Sequence, residues 1–347
     1  MTRAAPSAQN LPVKIDTVLR SDLDTVGDHA RELHAMGFDG VYTQEANSDA
    51  TFPLLLAAQA APIDVYTNVA IAFPRSPMHL AYAAFDLQRV SRGRFALGIG
   101  SQIRPHIEKR FSARFGNPVA HVAELVQALH AIFRCFHDGE RLDFRGEYYT
   151  HTLMTPTFVP APLGCDPPPV WVGALGPRMT EMAAKVADGV LIHPFNSELF
   201  LRSVTLPRVD AGLAASGRDR GRFTVGIDVM ACVYGNDAER EVAEGGCRSN
   251  LAFYASTPSY RVTLDVHGWG DLQPELNRMT KEGQWSEMSG LIDDSLLDVL
   301  CVRGTPAEAG RILRQRFAGI ADRVSLSIPY RIAPTTLAEL VAAFRNP

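Results

Sequence analysis

The sequence of 347 residues contains only five cysteines, and their arrangement excludes the usual cysteine-based sites. Cys135, Cys165, Cys232, Cys247 and Cys301 lie far apart and include no C-x-x-C pair. An odd, scattered set of thiols indicates neither a disulfide framework nor a zinc site. We therefore expect reduced thiols in a cytoplasmic protein, and no metal site.

A large charge of either sign is also missing. The formal net charge is −4, and no polybasic stretch indicates binding to nucleic acid or to an anionic membrane. The start of the chain, MTRAAPSAQNLP, lacks the apolar centre of a signal peptide, and no run approaches the ~20 apolar residues of a membrane span. The expected partner is a small molecule.

Three common catalytic motifs are absent as well. The sequence contains no G-x-S-x-G, no H-E-x-x-H and no G-x-x-x-x-G-K-[ST]. The sequence therefore lacks the motifs that usually indicate a serine hydrolase, a zinc metalloprotease or a P-loop nucleotide-binding protein.

What the chain does have is a regular alternation of short β-branched runs and amphipathic segments. This pattern is typical of parallel strands joined by crossover helices. The predicted strands are 13–19, 40–44, 65–73, 94–100, 170–173, 190–193, 223–233 and 323–329. Eight such strands without a break in composition predict an α/β protein with one (β/α)8 TIM barrel over residues 1–347.

A doubly wound parallel sheet is the alternative fold. That fold usually places a glycine-rich loop after its first strand, where this chain has Arg20-Ser21-Asp22. Two segments interrupt the alternation: a predicted hairpin over 141–150 and an insertion at about 255–294. An insertion of this length serves as a functional lid or as an oligomer contact, and the sequence leaves both open.

Two glycine-bearing segments each run from an apolar strand through a turn into a helix. They are SRGRFALGIGSQ, which begins at Ser91, and VWVGALGPRM, which begins at Val170. Glycine permits close approach of a ligand to the backbone, and a helix start presents unpaired N–H groups to an anion. Together the segments predict the two sides of a site for a phosphate-bearing cofactor.

These segments, together with GFDGVYTQE from Gly37, resemble the bacterial luciferase-like superfamily of flavin and deazaflavin oxidoreductases. The similarity is strongest to the branch that uses coenzyme F420, and it covers the 255–294 insertion least. It implies a barrel with insertions, whose C-terminal strand ends hold the tricyclic ring. The phosphate is then expected near the loops after the fourth and fifth strands, and the protein is expected to be a homodimer.

The same resemblance assigns the cofactor-binding residues. The phosphate is expected at the backbone of Gly173, Ala174, Leu175, Gly176 and Pro177 and at the neighbouring Arg178 and Met179, whereas the tail or ring edge is expected at Gly98, Gly100, Ser101 and Gln102. A non-proline cis peptide bond between Asn68 and Val69 is implied beneath the ring.

Three residues are candidates for proton transfer. Glu45 follows the second strand, where related proteins carry Asp, Glu or His beside the ring. His106 lies just beyond GIGSQ and His193 ends the strand in DGVLIH, and an imidazole can exchange a proton near neutral pH. The segment SQIRPH lacks the acidic residue of the sugar-phosphate dehydrogenases in this superfamily, so that substrate class is not supported.

We therefore expect an oxidoreductase that transfers a hydride between a small organic substrate and the deazaflavin coenzyme F420, with Glu45 or His106 balancing the proton. Two alternatives stay open. One is an FMN-dependent two-component monooxygenase that uses reduced flavin and dioxygen. The other is a non-catalytic barrel that binds the deazaflavin.

Overall fold

The computed structural model describes residues 13–19 and 22–346. The N-terminal segment in which the sequence predicts no signal peptide lies outside the described residues. Arg20 and Ser21, which the sequence places in the loop after the first strand, lie outside them too.

Parallel strands form a closed barrel. The described strands are β1 Lys14–Val18, β2 Gly40–Thr43, β3 Asp64–Thr67, β4 Ala70–Ile71, β5 Phe95–Gly100, β6 Phe144–Arg145, β7 Thr150–His151, β8 Val170–Ala174, β9 Gly189–Ile192, β10 Thr224–Val233, β11 Cys301–Gly304 and β12 Arg323–Ser327. The barrel runs β1-β2-β3-β5-β8-β9-β10-β12, and β12 closes it by pairing with β1 so that Val324 lies opposite Ile15. The predicted (β/α)8 fold is confirmed, and the open doubly wound sheet is excluded.

Helices surround the barrel. They are α1 Val26–Ala35, α2 Phe52–Ala60, α3 Pro77–Ser91, α4 Pro118–Asp138, α5 Pro177–Val186, α6 Glu198–Phe200, α7 Leu206–Ser216, α8 Asp237–Ala255, α9 Arg261–Asp265, α10 Leu272–Lys281, α11 Trp285–Met288, α12 Asp294–Leu300, α13 Pro306–Phe317 and α14 Pro334–Arg345. Single-turn π segments occupy His106–Arg110 and Leu201–Thr205.

The eight barrel strands match the predicted positions because their residues are buried on both faces, which produces continuous apolar runs. The hairpin predicted over 141–150 is also present, as the antiparallel pair β6 and β7. Two details differ from the prediction. The single strand predicted over 65–73 is divided into two strands, β3 and β4. The short strand β11, which pairs with the last residues of β10, was not predicted.

Helix α4 corrects one expectation from the sequence. This helix of 21 residues is long and apolar enough to cross a membrane, by length and composition only, although the sequence analysis expected no apolar run of that kind. Within this protein 56% of the apolar window is buried, and Val122, Leu125 and Leu129 belong to the core around the barrel. The apolar face of α4 is therefore a packing face.

A charged network fills the lower part of the barrel interior. The guanidinium of Arg323 donates to both carboxylate oxygens of Asp16, at 2.7 and 2.8 Å, and to Asp64 at 2.9 Å. The hydroxyl of Tyr66 donates to Asp16 at 3.0 Å, and the guanidinium also lies over the rings of Tyr66 and Trp171. Because the buried charges are paired and hydrogen-bonded, the network closes the barrel beneath the site described next.

Candidate active site

A cavity of about 730 Å³ opens at the C-terminal ends of the barrel strands. Five neighbouring barrel strands each contribute to its lining just beyond their C-terminal ends. The contributing residues are Glu45 after β2, Asn68 after β3, Ser101 after β5, Leu175 after β8 and His193 after β9. This is the end at which (β/α)8 enzymes carry their active sites, and the volume suits a small-molecule or cofactor site.

One wall of the cavity is built around Val69. The peptide bond between Asn68 and Val69 is cis, as the resemblance implied. A β-carbon added at Gly100 would lie 2.6 Å from Cγ2 of Val69, and one added at Gly173 would lie 2.9 Å from Cγ1. These two glycines are therefore needed because the side chain of Val69 lies directly against their backbone.

The carboxylate of Glu45 is held in place by two donors. Oε2 accepts from the backbone N–H of Ile71 at 2.7 Å, and Oε1 accepts from the guanidinium of Arg75 at 2.7 Å. Arg75 also pairs with Asp49 at 3.0 Å. Glu45 lines the cavity, and its two hydrogen bonds connect the segment after the cis bond to the loop after β2.

Asp228 lies in the middle of β10 and lines the cavity. Its carboxyl group accepts from Nδ2 of Asn68, at 2.9 Å to each oxygen, and from the hydroxyl of Ser325 on the neighbouring strand β12. Burial raises the pKa of Asp228 to about 7; the bonds from Ser325 and Asn68 lower it, and nearby Asp16 raises it. This carboxyl group is therefore partly protonated near neutral pH.

His193 lies among aromatic rings on the opposite side. Its ring centroid is 4.6 Å from that of Tyr254 and 4.5 Å from that of Tyr260, and its Nδ1 accepts from the backbone N–H of Phe195 at 3.2 Å. Burial lowers the pKa of His193 to about 3. The imidazole is consequently neutral at physiological pH, and the bond to Nδ1 places its proton on Nε2.

Two arginines line the cavity near its mouth. Arg104 pairs with Glu108 at 2.8 Å and lies over the ring of Phe115. Arg110 donates to the carbonyl of Ala46. Both cations lie in the connection between β5 and α4, and they make this side of the cavity attractive to an anion.

The start of helix α5 faces the same cavity. Gly176 is its N-cap and lines the cavity, whereas Pro177 is its first residue. The unpaired N–H groups of a helix start favour an anion. Arg178, in the first turn, is exposed and does not line this cavity.

Most of the predicted site residues meet in this one cavity. Those that line it are Glu45, Asn68, Val69, Gly100, Ser101, Gln102, Gly173, Ala174, Leu175, Gly176, Met179 and His193. Four do not line it: Gly98, His106, Pro177 and Arg178. Gly98 is packed inside the barrel, where an added β-carbon would lie 1.9 Å from the carbonyl oxygen of Thr67. His106 is exposed in the π segment.

The sequence-based prediction missed several residues of the cavity. Asp228 is the clearest, and its only signal was an acidic residue inside the apolar strand TVGIDVMACV. Tyr254 and Tyr260 lie at or near the predicted insertion, for which the sequence left a lid and an oligomer contact open. Arg104 and Arg110 are exposed, and no signal in the sequence places them at the cavity.

A family model described as luciferase-like monooxygenase matches residues 4–323. The protein Rv1360 of Mycobacterium tuberculosis is 47% identical over 313 residues, which cover 90% of this chain and 92% of that protein. The 5,10-methylenetetrahydromethanopterin reductase of Archaeoglobus fulgidus is 29% identical over 300 residues, with 83% and 85% covered. Other relatives at modest identity carry names that include F420-dependent oxidoreductases.

Solved structures share the fold. The coenzyme F420-dependent tetrahydromethanopterin reductase of Methanopyrus kandleri superimposes with a TM-score of 0.77 at 16% identity, and the alignment covers 96% of this chain and 97% of that one. Monooxygenases are also among the structures with this fold.

Proposed function

Because the chain belongs to the luciferase-like monooxygenase family, and is an enzyme of the oxidoreductase type, we propose that it uses the deazaflavin coenzyme F420 to transfer a hydride to or from a small organic substrate. Relatives named as F420-dependent oxidoreductases favour this cofactor over FMN. A deazaflavin, when bound, supplies the hydride chemistry.

The observation that carries the proposal is the combination of two features in one cavity. Val69, packed on Gly100 and Gly173, supplies an apolar wall for a ring. The N-terminus of α5 at Gly176 supplies N–H groups for a phosphate. A tricyclic cofactor with a phosphate-bearing tail requires both kinds of surface, so the residues present fit the group.

Within this proposal the backbone of residues 173–176 and Met179 hold the phosphate, and Ser101 and Gln102 border the ring or its tail. Arg104 and Arg110 add positive charge near the mouth of the cavity. Arg178, Pro177 and Gly98 stay predictions as cofactor ligands. His106 stays a predicted proton-transfer residue, and so do Glu45 and His193, which line the cavity.

The protein's own groups position the reactants and exclude water. Hydrogen bonds from Ile71 and Arg75 fix the carboxylate of Glu45, so it acts best as an acceptor that orients a ligand. Neutral His193 can donate from Nε2. Tyr254 and Tyr260 restrict access of solvent to that side. The homodimer and the cytoplasmic location also stay predictions.

An FMN-dependent monooxygenase is the second candidate, because the matching family carries that activity in its description. The test is a parallel titration of the apoprotein with coenzyme F420 and with FMN, followed by ligand fluorescence. Preferential binding of F420 is the expected result. Preferential binding of FMN would favour the monooxygenase, and binding of neither would overturn the cofactor proposal.

A third possibility, a non-catalytic deazaflavin carrier, predicts a different outcome for variants. Replacing Glu45, His106 and His193 together by alanine would then leave the function in cells intact. The hydride-transfer proposal expects loss of that function with F420 binding retained.

A further inference from the structure

Two carboxyl groups point into the barrel interior, and their surroundings differ in one decisive respect. Asp16 accepts two hydrogen bonds from the guanidinium of Arg323, one at each carboxylate oxygen. Among the residues that the structure describes, the donors to Asp228 are neutral: the amide of Asn68 and the hydroxyl of Ser325. A buried carboxyl group without a cationic partner favours its neutral, protonated form.

Asp228 also differs from Asp16 in its access to a ligand. It is 6% exposed, yet it lines the cavity together with Asn68, Val69 and His193. Asp16 lies below it, in the network that closes the barrel. Asp228 is therefore a carboxyl group at the inner end of the cavity, next to the wall on which the proposed ring would lie.

The titratable groups described near Asp228 leave its carboxyl group without a cationic partner. Asp16, on β1, raises its pKa by repulsion. Arg323, on β12, is occupied by Asp16 and Asp64, and Tyr66, on β3, donates to Asp16. His193, beyond β9, is neutral because burial lowers its pKa to about 3.

We infer that Asp228 holds a proton at the inner end of the cavity and donates it to the group that receives the hydride. This inference rests on the proposed function. A hydride brings two electrons and one hydrogen to its acceptor, which gains a negative charge. The O–H bond of the Asp228 carboxyl group breaks, its proton goes to the acceptor, and the electron pair stays on the carboxylate. In the reverse direction Asp228 takes the proton back.

The carboxylate that remains after the proton has left is already hydrogen-bonded. Asn68 and Ser325 already donate to its oxygens, so no rearrangement is needed to stabilise the charge. With a pKa of about 7, the group can lose and regain a proton near physiological pH.

The first experiment observes the acid itself in the apoprotein. Burial also raises the pKa of Asp16, so Asp228 is identified by its variant: carbon-13 NMR of protein labelled at the aspartate carboxyl carbon should show an aspartate signal that titrates near neutral pH and is lost in Asp228→Asn. In Ser325→Ala the midpoint should rise, since a donor that stabilises the carboxylate is removed. A wild-type protein without a near-neutral aspartate would overturn the inference, and so would a midpoint that stays unchanged in Ser325→Ala.

The second experiment measures proton exchange on binding. Calorimetric titration with oxidised coenzyme F420 at pH 7, in buffers of different ionisation enthalpy, should show that the wild type takes up or releases up to about half a proton. Asp228→Asn should bind F420 with no such proton change. Equal proton changes in both proteins would mean that Asp228 only positions Asn68, and would overturn the donation.

The outcomes of these experiments distinguish a failure of the Asp228 inference from a failure of the proposed function. If neither F420 nor FMN binds the wild type, the cofactor proposal fails, and with it the donation to a bound acceptor. If F420 binds and the proton change is absent, the cofactor proposal stands and the role of Asp228 is overturned.

Discussion

Nδ2 of Asn68 donates to both carboxyl oxygens of Asp228, at 2.9 Å each, although the two residues are 160 positions apart in the sequence. This contact joins the end of β3 to the middle of β10 across the barrel. It connects Asn68, the residue before the proposed ring wall at Val69, to Asp228, the acid of the cavity whose pKa is raised by burial. The two proposed elements of the site, the apolar wall at Val69 and the proton-holding group at Asp228, are therefore connected through Asn68.

Asp228 makes the stability of the protein depend on pH. Its pKa is about 7 in the fold and 3.8 as the ordinary value, so the folded state binds the extra proton. That contribution is fully present below pH 3.8 and is lost as the pH rises through 7. Between pH 5 and pH 8 the wild type should lose about 3 kcal/mol relative to Asp228→Asn. Urea denaturation of both proteins at each pH measures the difference, and parallel pH profiles would contradict it.

His193 should produce the opposite trend. Its pKa is lowered from 6.5 to about 3, so the unfolded state binds the extra proton. The contribution is present above pH 6.5 and is lost as the pH falls toward 3. Between pH 7 and pH 5 the wild type should lose about 2 kcal/mol relative to His193→Phe. The same denaturation experiment tests this, and a variant that loses as much stability as the wild type would rule it out.

Gly100→Ala should destabilise the protein and weaken F420 binding, since its β-carbon would lie 2.6 Å from Cγ2 of Val69. We expect a cost of about 1–3 kcal/mol, the range for overpacking. Adding Val69→Ala should restore part of the stability, because it removes the methyl group that the new β-carbon meets. Gly164→Ala is the control, since no described atom beyond its chain neighbours lies within 4 Å of a β-carbon there. Additive effects of Gly100→Ala and Val69→Ala would contradict the contact.

Arg110 and Arg178 provide a matched test of the anion site. Both arginines are exposed, but Arg110 lines the cavity and Arg178 does not. Arg110→Ala should weaken F420 binding about tenfold, the loss of one charge-assisted hydrogen bond. Arg178→Ala should have a smaller effect. Fluorescence titration of both variants gives the comparison, and a larger loss in Arg178→Ala would return the phosphate to the position that the sequence favoured.

Much of the barrel could be predicted from the sequence because the signals are local. Strands such as Phe95–Gly100 are buried on both faces, so their residues form apolar runs that are visible in a short window. Strand β11 escaped prediction because its four residues, CVRG, carry no such run. The glycines at 100 and 173 were predicted for close approach of a ligand, and the structure adds that Val69 is the neighbour they admit.

The sequence by itself determined the eightfold alternation, the family resemblance and most of the residues around the cavity, since these depend on periodicity and on motifs a few residues long. Only the tertiary structure decided what each polar group does. Whether a carboxyl group meets a guanidinium, as Asp16 does, or an amide and a hydroxyl, as Asp228 does among the described residues, depends on strands that are distant in the chain. The charge state of a buried acid follows from those long-range neighbours and from the exclusion of water, and neither is encoded in the residues beside it in the sequence.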